Sequence, residues 1–194
     1  WWNGLETVEE EGYSTHLITR HALRFIDENK AKPFCLYVAH EAVHSPFQGP
    51  DSPIQRGPKK DRAKRKTPVE DAYVQMMTAM DECVGQVLDK LAELKLDKNT
   101  LVIFCSDNGP EMGAGSAGPF RGFKTHLYEG GVRSSLVAWG GPVAKRNYVN
   151  RVSVFSAIDL VPTLLNLTGT PHPKGVTFDG ESLPGTLLGQ STGS

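Results

Sequence analysis

Three short stretches of the chain hold residues able to do chemistry. His40-Glu41-Ala42-Val43-His44 carries the H-E-x-x-H pattern, which on a helix sets two imidazoles one turn apart around zinc, with the Glu as general base. That chemistry requires the helix. Here Pro46 disfavours a helical Ser45, and Pro50 and Pro53 follow closely. A zinc metalloprotease is therefore the competing reading from a different class, and metal content separates it. Asp107-Asn108 offers a carboxylate and an amide oxygen side by side, hard donors that suit calcium or magnesium rather than zinc. Such an ion takes roughly six to eight oxygens, so other ligands must join these two. Without them the segment is an Asp-Asn-Gly turn. Lys124 follows Arg121-Gly122-Phe123 in a glycine-rich stretch. A lysine held there is a compact charge suited to sulfate or phosphate, and otherwise a surface lysine.

The elements that must position these groups alternate in type. Residues 15–29 repeat apolar side chains at helical spacing (Leu17, Ile18, Ala22, Phe25, Ile26), with Ser14 or Thr15 available as cap and Pro33 as stop. Residues 34–39 are a short apolar run that predicts a strand covered on both faces, and it leads into His40 and His44. A proline-rich loop over 46–67 contains the basic run Lys59 to Lys66, a solvated loop or a contact for an anionic polymer. Thr67-Pro68-Val69-Glu70 has the form of a capping box. It predicts a helix reaching about Leu94, with Met76, Met77 and Met80 filling its core face. A second buried strand over 101–105 ends in Ser106-Asp107-Asn108. A glycine-rich loop over 109–131, a strand over 135–139 and a helical stretch over 153–167, with Asp159 as cap and Gly169 at its end, complete the pattern.

Alternating strands and helices predict an α/β fold with a largely parallel sheet, whose ligands bind beyond the carboxyl ends of the strands. Two strand ends carry the candidate residues. With 194 residues, Lys plus Arg at 21 and Asp plus Glu at 22, the chain fits one domain or part of one and gives no charge-based case for nucleic acid. No apolar run approaches the roughly 20 residues of a membrane span. Cys35, Cys83 and Cys105 form no CxxC pair and read as buried thiols.

Taken in order, the motifs are similar to those of the type I sulfatases, of the alkaline-phosphatase-like superfamily, and to the arylsulfatase and N-acetylgalactosamine-sulfatase members in particular. The resemblance runs through Lys32-Pro33-Phe34-Cys35-Leu36-Tyr37, Val43-His44-Ser45-Pro46-Phe47-Gln48 and Met80-Asp81-Glu82-Cys83-Val84-Gly85. It continues through Ser106-Asp107-Asn108-Gly109, Arg121-Gly122-Phe123-Lys124, Tyr128-Glu129-Gly130-Gly131-Val132-Arg133 and Asp159-Leu160-Val161-Pro162-Thr163-Leu164-Leu165.

The resemblance implies a sandwich with a mostly parallel central sheet flanked by helices. It implies that Asp107 and Asn108 are metal ligands, for Ca²⁺ ahead of Mg²⁺, that Lys124 binds a sulfate oxygen, and that His44 contacts the ester and protonates the leaving alcohol. His40 matches no catalytic position and reads as structural. The family's nucleophile is a formylglycine made from Cys or Ser in a C/S-x-P-x-R motif, and no such motif occurs here. Residues 1–194 are thus expected to be the C-terminal portion of one sulfatase catalytic domain, with the nucleophile and the remaining calcium ligands upstream and the isolated chain inactive. The partner implied is a sulfate ester, aryl or sugar. The same residues would also suit a phosphatase or phosphonate hydrolase of that superfamily, or a non-catalytic module that binds an anion or a protein. The family also implies a secreted, periplasmic or lysosomal location, and exposed sheet edges would favour self-association.

Overall fold

The computed structural model describes residues 1–52, 68–143 and 147–190. The basic run Lys59 to Lys66 and Thr67 lie outside the described residues. The chain divides into two compact units: Trp1–Leu96 with Ser106–Ser134, and Asp97–Cys105 with Ser135–Ser194.

The first unit opens with a small antiparallel ribbon, β1 (Trp2–Asn3) and β2 (Glu6–Thr7), followed by α1 (Ser14–Asn29) and α2 (Val69–Glu93). The two helices pack together, and Leu17, Ala22 and Ile26 of α1 and Ala79, Cys83 and Leu91 of α2 are buried. The apolar spacing read from the sequence is what makes this seam. The side-chain cap expected for α1 at Ser14 or Thr15 does not form, and the capping box expected from Thr67 falls outside the described residues. Tyr13 precedes α1 and Pro68 precedes α2, and neither position makes a cap hydrogen bond. Instead Thr15 is buried, and its carbonyl accepts Thr19 Oγ1–H at 2.9 Å and Cys83 Sγ–H at 3.8 Å. The methionine cluster splits, with Met76 in the core and Met77 exposed.

Residues 34–39 form no strand and pair with none among the described residues. Their burial alternates, with Phe34, Leu36 and Val38 differing from Cys35, Tyr37 and Ala39, and Tyr37 is 89% exposed. The expectation of a strand covered on both faces is thus not met. A strand needs a neighbour to bond to, and the apolar run alone does not supply one.

In the second unit, β3 (Val102–Cys105) and β4 (Leu136–Trp139) form an antiparallel ribbon in the register Ile103↔Ala138 and Phe104↔Val137. The parallel sheet expected from alternating elements is not confirmed, since both strand pairs among the described residues are antiparallel. Nor is β3 buried as expected, since Phe104 is exposed; Leu136, Val137 and Trp139 of β4 are exposed too. Cys105 is likewise exposed, as is Cys35, and only Cys83 is a buried thiol.

A short 3₁₀ turn, Ala157–Asp159, leads into α4 (Leu160–Thr168), which Gly169 terminates at φ 65°. Asp159 is buried, and its carboxylate accepts Ser156 N–H at 2.7 Å and Glu181 N–H at 2.9 Å. The expected cap on α4 does not form, since the Asp159 side chain makes no cap hydrogen bond there. It closes a capping box with Ser156 on the 3₁₀ turn instead, and its bond from Glu181 fastens the segment after Gly180, which leads into α5 (Pro184–Leu187). Residues 153–156 are not helical, so the helix starts later than its apolar pattern suggested.

Candidate functional site

All four candidate residues belong to the first unit. His40 to His44 form no helix, because the chain turns at Ala42-Val43 with His44 N–H donating to Glu41 O at 2.8 Å. The one-turn imidazole pair that zinc proteolysis requires is therefore not formed. No cluster of three or more His, Cys, Asp or Glu side chains able to hold a metal occurs among the described residues.

The same turn arms His44. Its Nδ1 lies 2.7 Å from the carbonyl oxygen of Ser45. A carbonyl only accepts, so Nδ1 carries the hydrogen and Nε2 is the nitrogen left to exchange a proton with a ligand. The turn is anchored from below, since Ala42 and Val43 pack against a cluster of Phe47, Ala72 and Met76, which Ala114 of the glycine-rich loop also joins. His40, by contrast, has a buried Nδ1 with no partner among the described residues. Burial pushes its pKa below the usual histidine range, so it is held neutral.

The glycine-rich loop folds back on the Asp107-Asn108 turn. Ser106 Oγ–H donates to Asn108 O at 2.9 Å, and Ser134 Oγ–H donates to Ser106 O at 2.9 Å. Gly109 N–H donates to Gly131 O and Lys124 N–H to Pro110 O, each at 2.9 Å. These bonds bring the Lys124 backbone against the segment that follows Asp107 and Asn108. Gly109 permits the approach, because a Cβ there would collide with the carbonyl of Gly130. In turn a Cβ on Gly130 would collide with the carbonyl of Gly122, and one on Gly131 with that of His126. The short helix α3 (Glu129–Val132) can therefore lie on the loop only because these positions lack side chains.

Asp107 is exposed, Asn108 half-buried, and neither side chain has a hydrogen-bond or ion-pair partner among the described residues. Their free oxygens fit a hard cation in donor type, though not in number. Lys124 is half-buried, without a carboxylate partner among the described residues. Sequence reasoning missed one group in this turn, His126, whose Nδ1 accepts from Phe123 N–H at 3.3 Å. A Lys-x-His spacing carries no signal by itself, and only the folded turn reveals it.

Comparison with known proteins gives this arrangement a context. The Sulfatase family model matches residues 1–170. The chain is 33% identical over 182 residues to an arylsulfatase of Hemicentrotus pulcherrimus, covering 90% of this chain and 30% of that protein. It is 35% identical over 190 residues to an N-acetylgalactosamine-6-sulfatase of Mus musculus, covering 93% and 34%. Among solved structures, that of Ps i-CgsB in complex with k-i-k-neocarrahexaose superposes with a TM-score of 0.79 at 30% identity, covering 94% of this chain and 40% of that one. The chain thus spans about a third of the length of the curated relatives it matches. With the family model matched from Trp1 through α4 and these identities on either side of a third, the chain belongs to the sulfatase family.

Proposed function

We propose that these 194 residues are the C-terminal portion of a sulfatase catalytic domain, which hydrolyses sulfate esters of aryl alcohols or sugars. The observation that carries this reading is the pair of backbone hydrogen bonds, Lys124 N–H to Pro110 O and Gly109 N–H to Gly131 O. They tie the backbone of a lysine to a turn bearing two oxygen ligands that have no partner among the described residues. A lysine beside a cation-binding pair suits a tetrahedral dianion.

In this reading Asp107 and Asn108 contribute to a calcium site, and the bound ion supplies positive charge beside the sulfuryl group. Lys124 binds a sulfate oxygen and neutralises charge that grows as the S–O bond breaks. His44, with Nδ1 held by the Ser45 carbonyl, delivers the proton on Nε2 to the departing alcohol oxygen. The nucleophile is a formylglycine in a segment outside these residues, because no Cys or Ser here opens the required motif. A secreted, periplasmic or lysosomal site of action goes with the family.

The test uses the full-length, calcium-loaded protein and 4-nitrophenyl sulfate. Lys124→Ala is expected to lower kcat/KM by about a hundred-fold or more. An unchanged value overturns the assignment, and faster hydrolysis of 4-nitrophenyl phosphate than of the sulfate moves the reading to a phosphatase. The isolated 194-residue chain is expected to turn over neither ester. Turnover by it would show that the nucleophile is wrongly located.

A further inference from the structure

The turn that carries Lys124 holds a second group that the hydrolytic steps above do not use. Phe123 N–H donates to His126 Nδ1 at 3.3 Å, and His126 N–H returns to Phe123 O at 2.9 Å. Because Nδ1 accepts, the neutral ring carries its hydrogen on Nε2. His126 is exposed, so that N–H is open to a ligand. Between Lys124 and His126 sits Thr125 at φ 76°, a left-handed conformation that a β-branched residue adopts only under constraint from its surroundings. Gly122, at φ 93°, makes room for the ring. A Cβ there would come within 3.1 Å of Tyr128 Cβ and 3.2 Å of His126 Cβ.

The imidazole is flanked by two aromatic rings. Phe123 and Tyr128 approach it edge-on, with centroids 6.3 and 6.4 Å away. The Arg121 guanidinium lies 3.9 Å above the Tyr128 ring, exposed and with no carboxylate partner among the described residues. Lys124 and His126 thus share one braced turn, and an aromatic face with an unneutralised cation adjoins them. A sugar ring presents C–H faces that pack on aromatic side chains and hydroxyls that accept N–H hydrogen bonds. A further sulfate or carboxylate on a glycan chain would suit a guanidinium. A simple aryl ester offers partners for neither the imidazole nor the guanidinium.

We propose that the surface formed by Phe123, His126, Tyr128 and Arg121 recognises a sulfated saccharide, and that His126 is a specificity-determining residue, donating from Nε2 to a sugar oxygen beside the sulfate bound at Lys124. This rests on the sulfatase reading and narrows its substrate class from sulfate esters in general to sulfated glycans.

The test compares the full-length protein with its His126→Ala and His126→Gln variants on two probes, a 6-sulfated N-acetylgalactosamine-containing disaccharide and 4-nitrophenyl sulfate. His126→Ala is expected to raise KM for the disaccharide roughly ten-fold at unchanged kcat, as for loss of one hydrogen bond to a ligand, and to leave the aryl ester unaffected. His126→Gln, which keeps a side-chain N–H, is expected to recover part of the loss. Equal effects on both esters, or none on either, overturn the proposal. If Lys124→Ala abolishes hydrolysis while His126→Ala changes nothing, the sulfatase reading stands and the saccharide surface falls. If Lys124→Ala is silent, the sulfatase reading falls and takes the saccharide surface with it.

Discussion

The proton on His44 and the burial of His40 set these two histidines, four residues apart, on different tasks. With Nδ1 committed to the Ser45 carbonyl, His44 has one nitrogen for proton exchange. A proton donor matters most when the leaving alcohol is basic. His44→Ala is therefore expected to lower kcat about a hundred-fold on a sugar sulfate and much less on 4-nitrophenyl sulfate, whose phenolate leaves readily. Equal losses on the two esters would remove the acid role. His40 instead bears on stability. Its pKa is lowered from 6.5 by burial, so the unfolded chain binds a proton more readily than the folded one. The stability this gives is present above the unfolded pKa and is lost as pH falls below it. Glu10, whose pKa is lowered chiefly by its hydrogen bond from His21, acts in the same direction at lower pH, below 4.5. Melting of the full-length protein is expected to weaken from pH 7 to pH 5, and His40→Leu to flatten that slope. A slope unchanged in the variant would show that His40 is not its source.

Among the elements, those with a local code were legible and those requiring a partner were not. Helices α1 and α2 follow from apolar spacing within their own residues. The Gly169 stop at φ 65° follows from glycine's freedom in the left-handed region. The run over 34–39 and the ribbon β3–β4 depend on what pairs with them, and alternation of element types does not reveal that Val102–Cys105 pairs antiparallel with Leu136–Trp139. The site was legible in part for the same reason. Asp107, Asn108, His44 and Lys124 stood out by residue type and motif, whereas His126 acquires a role only once Gly122 lets the loop close. That closure has its own consequence. Gly130→Ala would press a methyl group onto the Gly122 carbonyl and break the Gly130 N–H bond to Arg121 O. About a hundred-fold loss of kcat/KM is expected without a change in helix content by circular dichroism. Retained activity would mean that the loop does not position Lys124. In the second unit, Asp159→Ala leaves two backbone N–H groups without their acceptor. It is expected to cost about 3 kcal/mol in denaturant unfolding, and a cost below about 1 kcal/mol would demote the bracket to an incidental contact.

At the scale of the whole molecule, the described surface is apolar in places. Tyr37, Val137, Val152, Val154 and Ile158 are exposed, and the outer edges of the β3–β4 ribbon pair with no strand among the described residues. Unpaired edges beside apolar side chains are ready templates for association. The chain of 194 residues is therefore expected to sediment as oligomers, and Val137→Lys to shift it toward monomer. A monodisperse wild-type chain would show that these surfaces are compatible with water as they stand. The central claim, however, concerns convergence: Asp107, Asn108, Lys124 and His44 are taken to surround one tetrahedral dianion. A crystal structure of the full-length protein with calcium and sulfate measures this directly. The account predicts one sulfate with Lys124 Nζ and His44 Nε2 both within about 3.5 Å of its oxygens, and Asp107 and Asn108 on the same side of the cavity, where they would hold a calcium ion. A sulfate bound at Lys124 with His44 or the Asp107-Asn108 pair turned to separate surfaces would contradict it.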